Sequence, residues 1–365
     1  MNVIIDRNIP LLHQSIKDGA EVFSVNGREI SQELLKSTQS SALIVRSVTN
    51  VNNELLESAD IKFVGTATSG TDHVDIDYLS TKGISFVSAK GSNANSVAEY
   101  VVYSILKYAE SDGIKLKDNT IGIVGYGCIG QIVAEYCHLL GLKVMVNDPP
   151  LLEHSYSFPD YCEYTSIDRI CSECDIVTNH VPLTKTGKYP TQNLFGIDRI
   201  ALLKNSSLFI HTSRGSVVDE SALLDRLRKR EIRAVIDVWE NEPLLNSELA
   251  KFCFFATPHI AGYSFDGKLK GALTMAEHLH NILGLEIDFS IIQTELQAGL
   301  KKVVPNKNYS LLLDLIEQNR RFKEDFMDFL RLLLIEDKQE FSKQFDRLRK
   351  EYPKRRECLE LPNTF

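Results

Sequence analysis

The chain has 365 residues, too many for one ordinary core, so two or three domains are expected. Its 43% hydrophobic and 25% charged composition is that of a soluble globular protein, and a net charge of −8 argues against a dedicated nucleic-acid binder. No apolar stretch approaches the roughly 18 residues that would span a bilayer, so no membrane partner is expected.

The chain opens on MNVIIDRNIP, a short strand and turn without the basic flank and long apolar core of a secretory signal. Apolar runs recur at NVIID, SALIVRS, KFVGTAT and ISFVSAK, each followed by a turn or a polar helix, which predicts a parallel sheet of β-α units. SNANSVAEYVVYSILKYAE then has helical spacing, with Ser96 and Glu99 placed as a capping box at its start. A second series begins at TIGIVG and continues through LKVMVND, DIVTNHV, SLFIHT, RAVIDVW and CFFATP. Six such runs with helices between them predict a doubly wound sheet. GALTMAEHLHNILG reads as a further helix.

Beyond about Leu285 the sequence becomes helical and charge-rich, with acidic and basic residues balanced around amphipathic stripes. The basic cluster from Arg347 to Arg356 reads as a solvated helix face, and the segment as a small add-on domain for self-association. The seven cysteines are scattered and odd in number, as suits free thiols in a reducing cytoplasm. Cys171 and Cys174 make a C-x-x-C, but the pair closes a helix rather than opening one, so packing thiols are expected and no metal.

VGYGCIG carries G-x-G-x-x-G as Gly125, Gly127 and Gly130. It follows an apolar strand, opens the helix QIVAEYCHLLG and leads to a strand ending in Asp148, which is the context of the Rossmann dinucleotide fingerprint. The helix N-terminus offers unpaired N–H groups to a pyrophosphate. A carboxylate at Asp148 accepts from a ribose 2′-hydroxyl and repels a 2′-phosphate, so NAD is expected rather than NADP.

Three further residues fall at or just past strand ends, the edge where doubly wound sheets bind ligands: Arg214 after SLFIHT, Glu242 in DVWENEP and His259 in ATPHIAGYS. Beside a nicotinamide this set suits oxidation of a 2-hydroxy acid. Histidine is a base for the hydroxyl proton, a carboxylate fixes its tautomer, and arginine holds the substrate carboxylate.

At these residues the chain resembles the D-2-hydroxyacid dehydrogenase family. The likeness extends through SGTDHVDID, AKGSNANSVAE, VPLTKTG, TSRGSVVDESALL and PHIAGYS. It implies two doubly wound α/β domains (Rossmann or flavodoxin-like) and a small C-terminal dimerisation domain in a cytoplasmic homodimer. The implied division is 1–94 and 258–285 for the substrate domain, 95–257 for the NAD domain and 286–365 for dimerisation. The helix at Ser96 and the ATPHIAGYS turn would be the crossovers. The likeness is strongest to a member of the family that acts on a phosphorylated 2-hydroxy acid. It implies Ser47, Thr68 and Tyr263 as substrate contacts, with Arg46 a phosphate ligand on grounds of charge. Thr212, Ser213, Asp237 and Gly262 would line the cofactor. Val181 stands where such a relative has threonine, so a cofactor contact there would be through the backbone. Asn205 and Ser206 stand where the family commonly has a Pro-Gly turn. The chain also stops soon after KRRECLEL, short of the usual dimerisation domain. Other phosphorylated or plain hydroxy acids, and an NAD-sensing role without turnover, are the alternatives.

Overall fold

The computed structural model describes residues 1–362, which form two compact units. The chain passes between them after Asn93, after Tyr263 and after Leu300.

The first unit, 1–93 with 264–300, is built on five parallel strands in the order Glu21–Val25, Asn2–Asp6, Ala42–Val45, Phe63–Thr66, Ser85–Ser88. Val3, Ile4 and Ile5 and every residue of Ala42–Val45 are fully buried, as parallel strands covered on both faces require. The outer strand Glu21–Val25 is not among the runs the sequence singles out; its EVFSV mixes polar residues into the pattern. On one face lies the helix Phe265–Leu283, which buries Leu269, Ala272, Ala276 and Leu279 at helical spacing. It begins ahead of the expected GALTM run, because the Ser264 hydroxyl caps it by accepting from the Gly267 N–H (2.9 Å). Beyond it, Glu286–Ile287 pairs antiparallel with Ile16–Asp18, and the helix Phe289–Gln297 keeps the chain in this unit as far as Leu300.

The second unit, 94–263 with 301–362, carries seven parallel strands. Their order is Phe255–Ala256, Arg233–Ile236, Leu208–His211, Ile176–Asn179, Thr120–Val124, Lys143–Asn147, Cys162–Tyr164. The last of these is one more than expected; a three-residue CEY has too little apolar pattern to announce a strand. Ser206 holds φ +64°, the left-handed turn conformation that glycine usually supplies. Cys171 and Cys174 are buried free thiols that pack against the sheet, and all seven cysteines are unpaired.

The helix Ala94–Asp112 starts before Ser96, which corrects the expected capping box. Ser96 and Glu99 are fully buried inside the helix, and both serve a tertiary network. The buried guanidinium of Arg320 donates to the Glu99 carboxylate, to Ser96 Oγ (2.9 Å) and to the Tyr263 carbonyl (3.0 Å). The second Glu99 oxygen accepts from the N–H groups of Cys358 (2.6 Å) and Leu359 (2.7 Å). Residues 301–362 thus share this unit's core: Leu312, Leu313, Ile316 and Phe322 join one cluster, and Phe329, Phe341 and Phe345 another around Trp239. No helix among the described residues is long and apolar enough to cross a membrane.

Candidate active site

The glycine turn follows Thr120–Val124, and each of its glycines answers a different constraint. Gly125 holds φ +91°, and a Cβ there would stand 2.8 Å from the His180 carbonyl carbon. A Cβ on Gly130 would fall 2.1 Å from the Gly125 oxygen, so the third glycine lets the helix Cys128–Leu139 sit on the turn. Gly127 meets nothing within 4 Å, and it opens that helix without a side-chain cap. A bare helix N-terminus beside open space is a cradle for a pyrophosphate, so these residues fit a dinucleotide. Asp148 braces the same turn: one carboxylate oxygen accepts from the Tyr126 N–H (2.8 Å), the other from the Leu151 N–H (3.1 Å). Val181 packs at the end of Ile176–Asn179, close to Gly125.

Arg214, Glu242 and His259 follow three adjacent strands of this sheet, Leu208–His211, Arg233–Ile236 and Phe255–Ala256. The pairing of Arg214 with Gly215 has a steric origin. A Cβ on residue 215 would lie 2.1 Å from the Trp239 carbonyl carbon, so only glycine lets the two strand-end turns touch. The Arg214 guanidinium donates to the Ser213 carbonyl (2.8 Å), while Ser213 Oγ donates to the Asn179 side chain and Thr212 Oγ1 lies 3.3 Å from His180 Nδ1.

His259 has φ +59°, a conformation that a side-chain-bearing residue adopts only when its surroundings impose it. Asp237 imposes it. Its buried carboxylate accepts from Thr257 Oγ1 (2.6 Å) and from the N–H groups of Ile260 (2.7 Å) and Ala261 (3.0 Å), on both sides of His259. Asp237 and Gly262 thus belong to the histidine turn. His259 Nδ1 lies 2.8 Å from one Glu242 oxygen, and the other accepts from the Trp239 N–H (2.9 Å). Burial pushes the Glu242 carboxyl upward, but His259, the Trp239 N–H and Arg349 outweigh burial and hold it below its ordinary range. Two other histidines lie at the same edge. Burial pushes His211 down to about 4 and His180 to about 3, so both stay neutral. The His259 side chain is 32% exposed.

The remaining candidates divide between the units. Arg46 and Ser47 directly follow Ala42–Val45, and Thr68 lies two residues past Phe63–Thr66, at the carboxyl edge of the five-stranded sheet. Arg46 Nε donates to the buried Asp6 (3.1 Å), Ser47 is exposed, and Thr68 Oγ1 bonds Thr66 Oγ1 (2.8 Å) and the Gly70 carbonyl (3.0 Å). Sequence reading misses Lys268 of the same unit, which burial and then the charge of Arg46 depress below its ordinary value. Tyr263, in the second unit, stands edge-on to Tyr352 with ring centroids 5.4 Å apart. Arg349 corrects the reading of the C-terminal cluster as a solvated face. Its Nε is sealed from solvent and its guanidinium lies over the Phe345 ring, 5.8 Å from the centroid, whereas Arg347 is solvated and pairs with Glu351.

These features define an NAD-dependent dehydrogenase of the 2-hydroxyacid type, and the comparisons agree. Residues 93–261 match the family model of the D-isomer specific 2-hydroxyacid dehydrogenase NAD binding domain. NAD-bound 3-phosphoglycerate dehydrogenase of Entamoeba histolytica superposes with a TM-score of 0.65 at 25% identity, over 78% of this chain and 95% of that one. D-lactate dehydrogenase of Aquifex aeolicus shares the fold, with a TM-score of 0.62 at 23% identity over 78% of this chain and 96% of that one. The erythronate-4-phosphate dehydrogenase of Hahella chejuensis is 39% identical over 98% of this chain and 92% of its own length. That of Pseudomonas putida is 38% identical over 98% and 93%. The chain belongs to the erythronate-4-phosphate dehydrogenase family, within the D-2-hydroxyacid dehydrogenases.

Proposed function

We propose that this protein oxidises 4-phospho-D-erythronate at C2 to 2-oxo-3-hydroxy-4-phosphobutanoate, a step toward pyridoxal 5′-phosphate. The observation that carries this reading is the 2.8 Å His259–Glu242 pair, at a strand end next to the one that bears Arg214. Glu242 takes the Nδ1 proton in a hydrogen bond, which leaves Nε2 free to accept the proton of the substrate hydroxyl. Arg214 holds the substrate carboxylate and stabilises charge that gathers on the C2 oxygen. Gly125, Gly127, Gly130, Asp148, Thr212, Ser213 and the backbone at Val181 hold NAD, which when bound supplies the acceptor for the hydride from C2. One C–H and one O–H bond break, a C=O bond forms, and two electrons leave the acid with the hydride.

Recognition of the phosphorylated tail falls to Arg46, with Ser47 and Thr68 beside it. Their place supports this, since all three lie just past adjacent strands at the carboxyl edge of the five-stranded sheet, where parallel sheets bind ligands. Tyr263 contacts the substrate near His259. A homodimer is supported by exposed apolar side chains in the C-terminal segment, Leu311, Met327 and Leu334 among them, and a cytoplasmic location by the unpaired thiols.

A panel of 4-phospho-D-erythronate, 3-phosphoglycerate, D-glycerate and D-lactate, each with NAD and with product measured directly, tests the reading. Preference for phosphoerythronate is expected. Preference for another acid would discard the substrate, and silence with all four would discard the activity.

A further inference from the structure

The turn that carries His259 is held by its donors and by its acceptors, and the two sets of bonds come from different parts of the chain. Asp237 takes the N–H groups of Ile260 (2.7 Å) and Ala261 (3.0 Å). The Ala261 carbonyl accepts from Ser96 Oγ (2.8 Å), and the Tyr263 carbonyl from Arg320 (3.0 Å). Ala261 is therefore gripped at both of its backbone groups by side chains. The Arg320 nitrogen that reaches Tyr263, Nη2, also donates to Ser96 Oγ (2.9 Å), so both of its hydrogens are in use. Nη1 donates to Glu99, and the guanidinium lies over the Phe322 ring, 4.6 Å from the centroid. Neither Arg320 nor Glu99 exposes its side chain. One residue before Ser96, Asn95 donates to the Leu359 carbonyl (2.9 Å) and accepts from the Tyr136 hydroxyl.

We propose that Ser96 and Arg320 are positioning residues of the dehydrogenase site: a relay from the buried guanidinium through the Ser96 hydroxyl fixes the Ala261 and Tyr263 carbonyls, and with them the aim of the His259 ring. This rests on the assignment of His259 as the base made above. His259 stands at φ +59°, a conformation kept only where the surroundings over-determine it. Asp237 alone would leave the peptide planes after His259 able to tilt about its two bonds, and the carbonyl bonds remove that freedom. A charged donor polarises the hydroxyl it reaches, so Arg320 strengthens the bond from Ser96 to Ala261. A base must hold its acceptor nitrogen within hydrogen-bond reach of the substrate hydroxyl, and a misplacement of about 1 Å can cost about 100-fold in rate. The C-terminal segment thereby contributes to turnover in its own chain through the backbone geometry of the histidine turn.

The test compares Ser96→Ala, Arg320→Lys and Tyr136→Phe in the full-length protein. Tyr136→Phe is the control, since it removes a bond to Asn95 in the same helix and none to the histidine turn. Thermal unfolding checks the fold, and calorimetric NAD binding counts the sites, so that kcat with phosphoerythronate is expressed per folded site. Amide hydrogen exchange reports the hold on Ile260 and Ala261 whether or not turnover is seen. Ser96→Ala should lose about tenfold or more in kcat with NAD affinity unchanged, and its two amides should exchange about fivefold faster or more. Tyr136→Phe should lower the melting temperature and change neither. Parent-like kcat and exchange in Ser96→Ala would overturn the proposal. So would a fall in kcat without faster exchange, faster exchange without a fall in kcat, or equal losses in Tyr136→Phe. If Ser96→Ala does not fold, Arg320→Lys decides by the same criteria: it keeps a charge against Glu99, but an ammonium lacks the fork that spans Ser96, Glu99 and Tyr263. With a parent enzyme silent toward phosphoerythronate, exchange alone decides. Quickened amides would then support the relay and discard only the substrate, and unmoved amides would overturn the relay.

Discussion

The two parallel sheets end in different kinds of edge. At the seven-stranded sheet the polar groups are tied to one another: Asp237 to the backbone around His259, Glu242 to Trp239 and His259, Ser213 to Asn179. At the five-stranded sheet Ser47 is exposed, and the half-buried Arg46 donates to Asp6 (3.1 Å) just past its strand. The first edge is organised before a ligand arrives, as groups that act on a reaction's developing charge must be. The second, with an exposed hydroxyl and a half-buried cation, has the character of a recognition surface. The comparison supports the proposal that chemistry belongs to one unit and recognition of the phosphate to the other.

Removal of the base breaks this division most sharply. His259→Gln should lose about 10²–10⁴-fold in kcat while calorimetry shows NAD bound as before; a variant within a few-fold of the parent would exclude His259 as the base. Next in size is the buried pair that supports the catalytic unit from behind. Arg320→Ala leaves Glu99 uncompensated and should cost about 3–5 kcal/mol in denaturant unfolding, and a change too small to resolve would mean that the network does not hold residues 301–362 in place. The cofactor side is subtler. Asp148→Asn keeps an oxygen to brace the glycine turn but removes the charge, and should narrow the preference for NAD over NADP by about tenfold.

The smallest effect is on stability. Burial pushes Glu220 up to about 7, where its carboxylate accepts from the Glu240 N–H (2.7 Å). A raised acid binds its proton more tightly in the folded state, so its contribution is complete below the unfolded value near 4.5 and is lost as pH rises toward 7. Glu220→Gln should therefore flatten the fall in melting temperature between pH 5 and pH 8, and an unchanged slope would refute the assignment.

What could be read in advance follows the range of the forces involved. The glycine turn, Asp148 and the Arg214-Gly215 pair are local, and spacing along the chain reveals them. The strands were legible where they are buried on both faces, and missed at Glu21–Val25 and Cys162–Tyr164 on the outer edges, where apolar pattern is weak. Ser96 and Glu99 misled because their spacing satisfies a local motif, while their actual partner, Arg320, lies more than two hundred residues away in sequence. Asp237 gave no signal of its hold on the His259 turn for the same reason. Arg349 was hidden in a basic cluster, although its place four residues after Phe345 and eight after Phe341 marks the buried stripe once those phenylalanines are known to face the core.

The division between the two edges is tested most directly by steady-state kinetics on Arg214→Ala and Arg46→Ala side by side, with phosphoerythronate and unphosphorylated D-erythronate. Arg214→Ala should remove most turnover of both acids with the fold intact. Arg46→Ala should raise KM for the phosphorylated acid and leave the unphosphorylated one unchanged, erasing the preference between them. Retained turnover in Arg214→Ala, or equal losses on both acids in Arg46→Ala, would contradict the separation of chemistry from phosphate recognition.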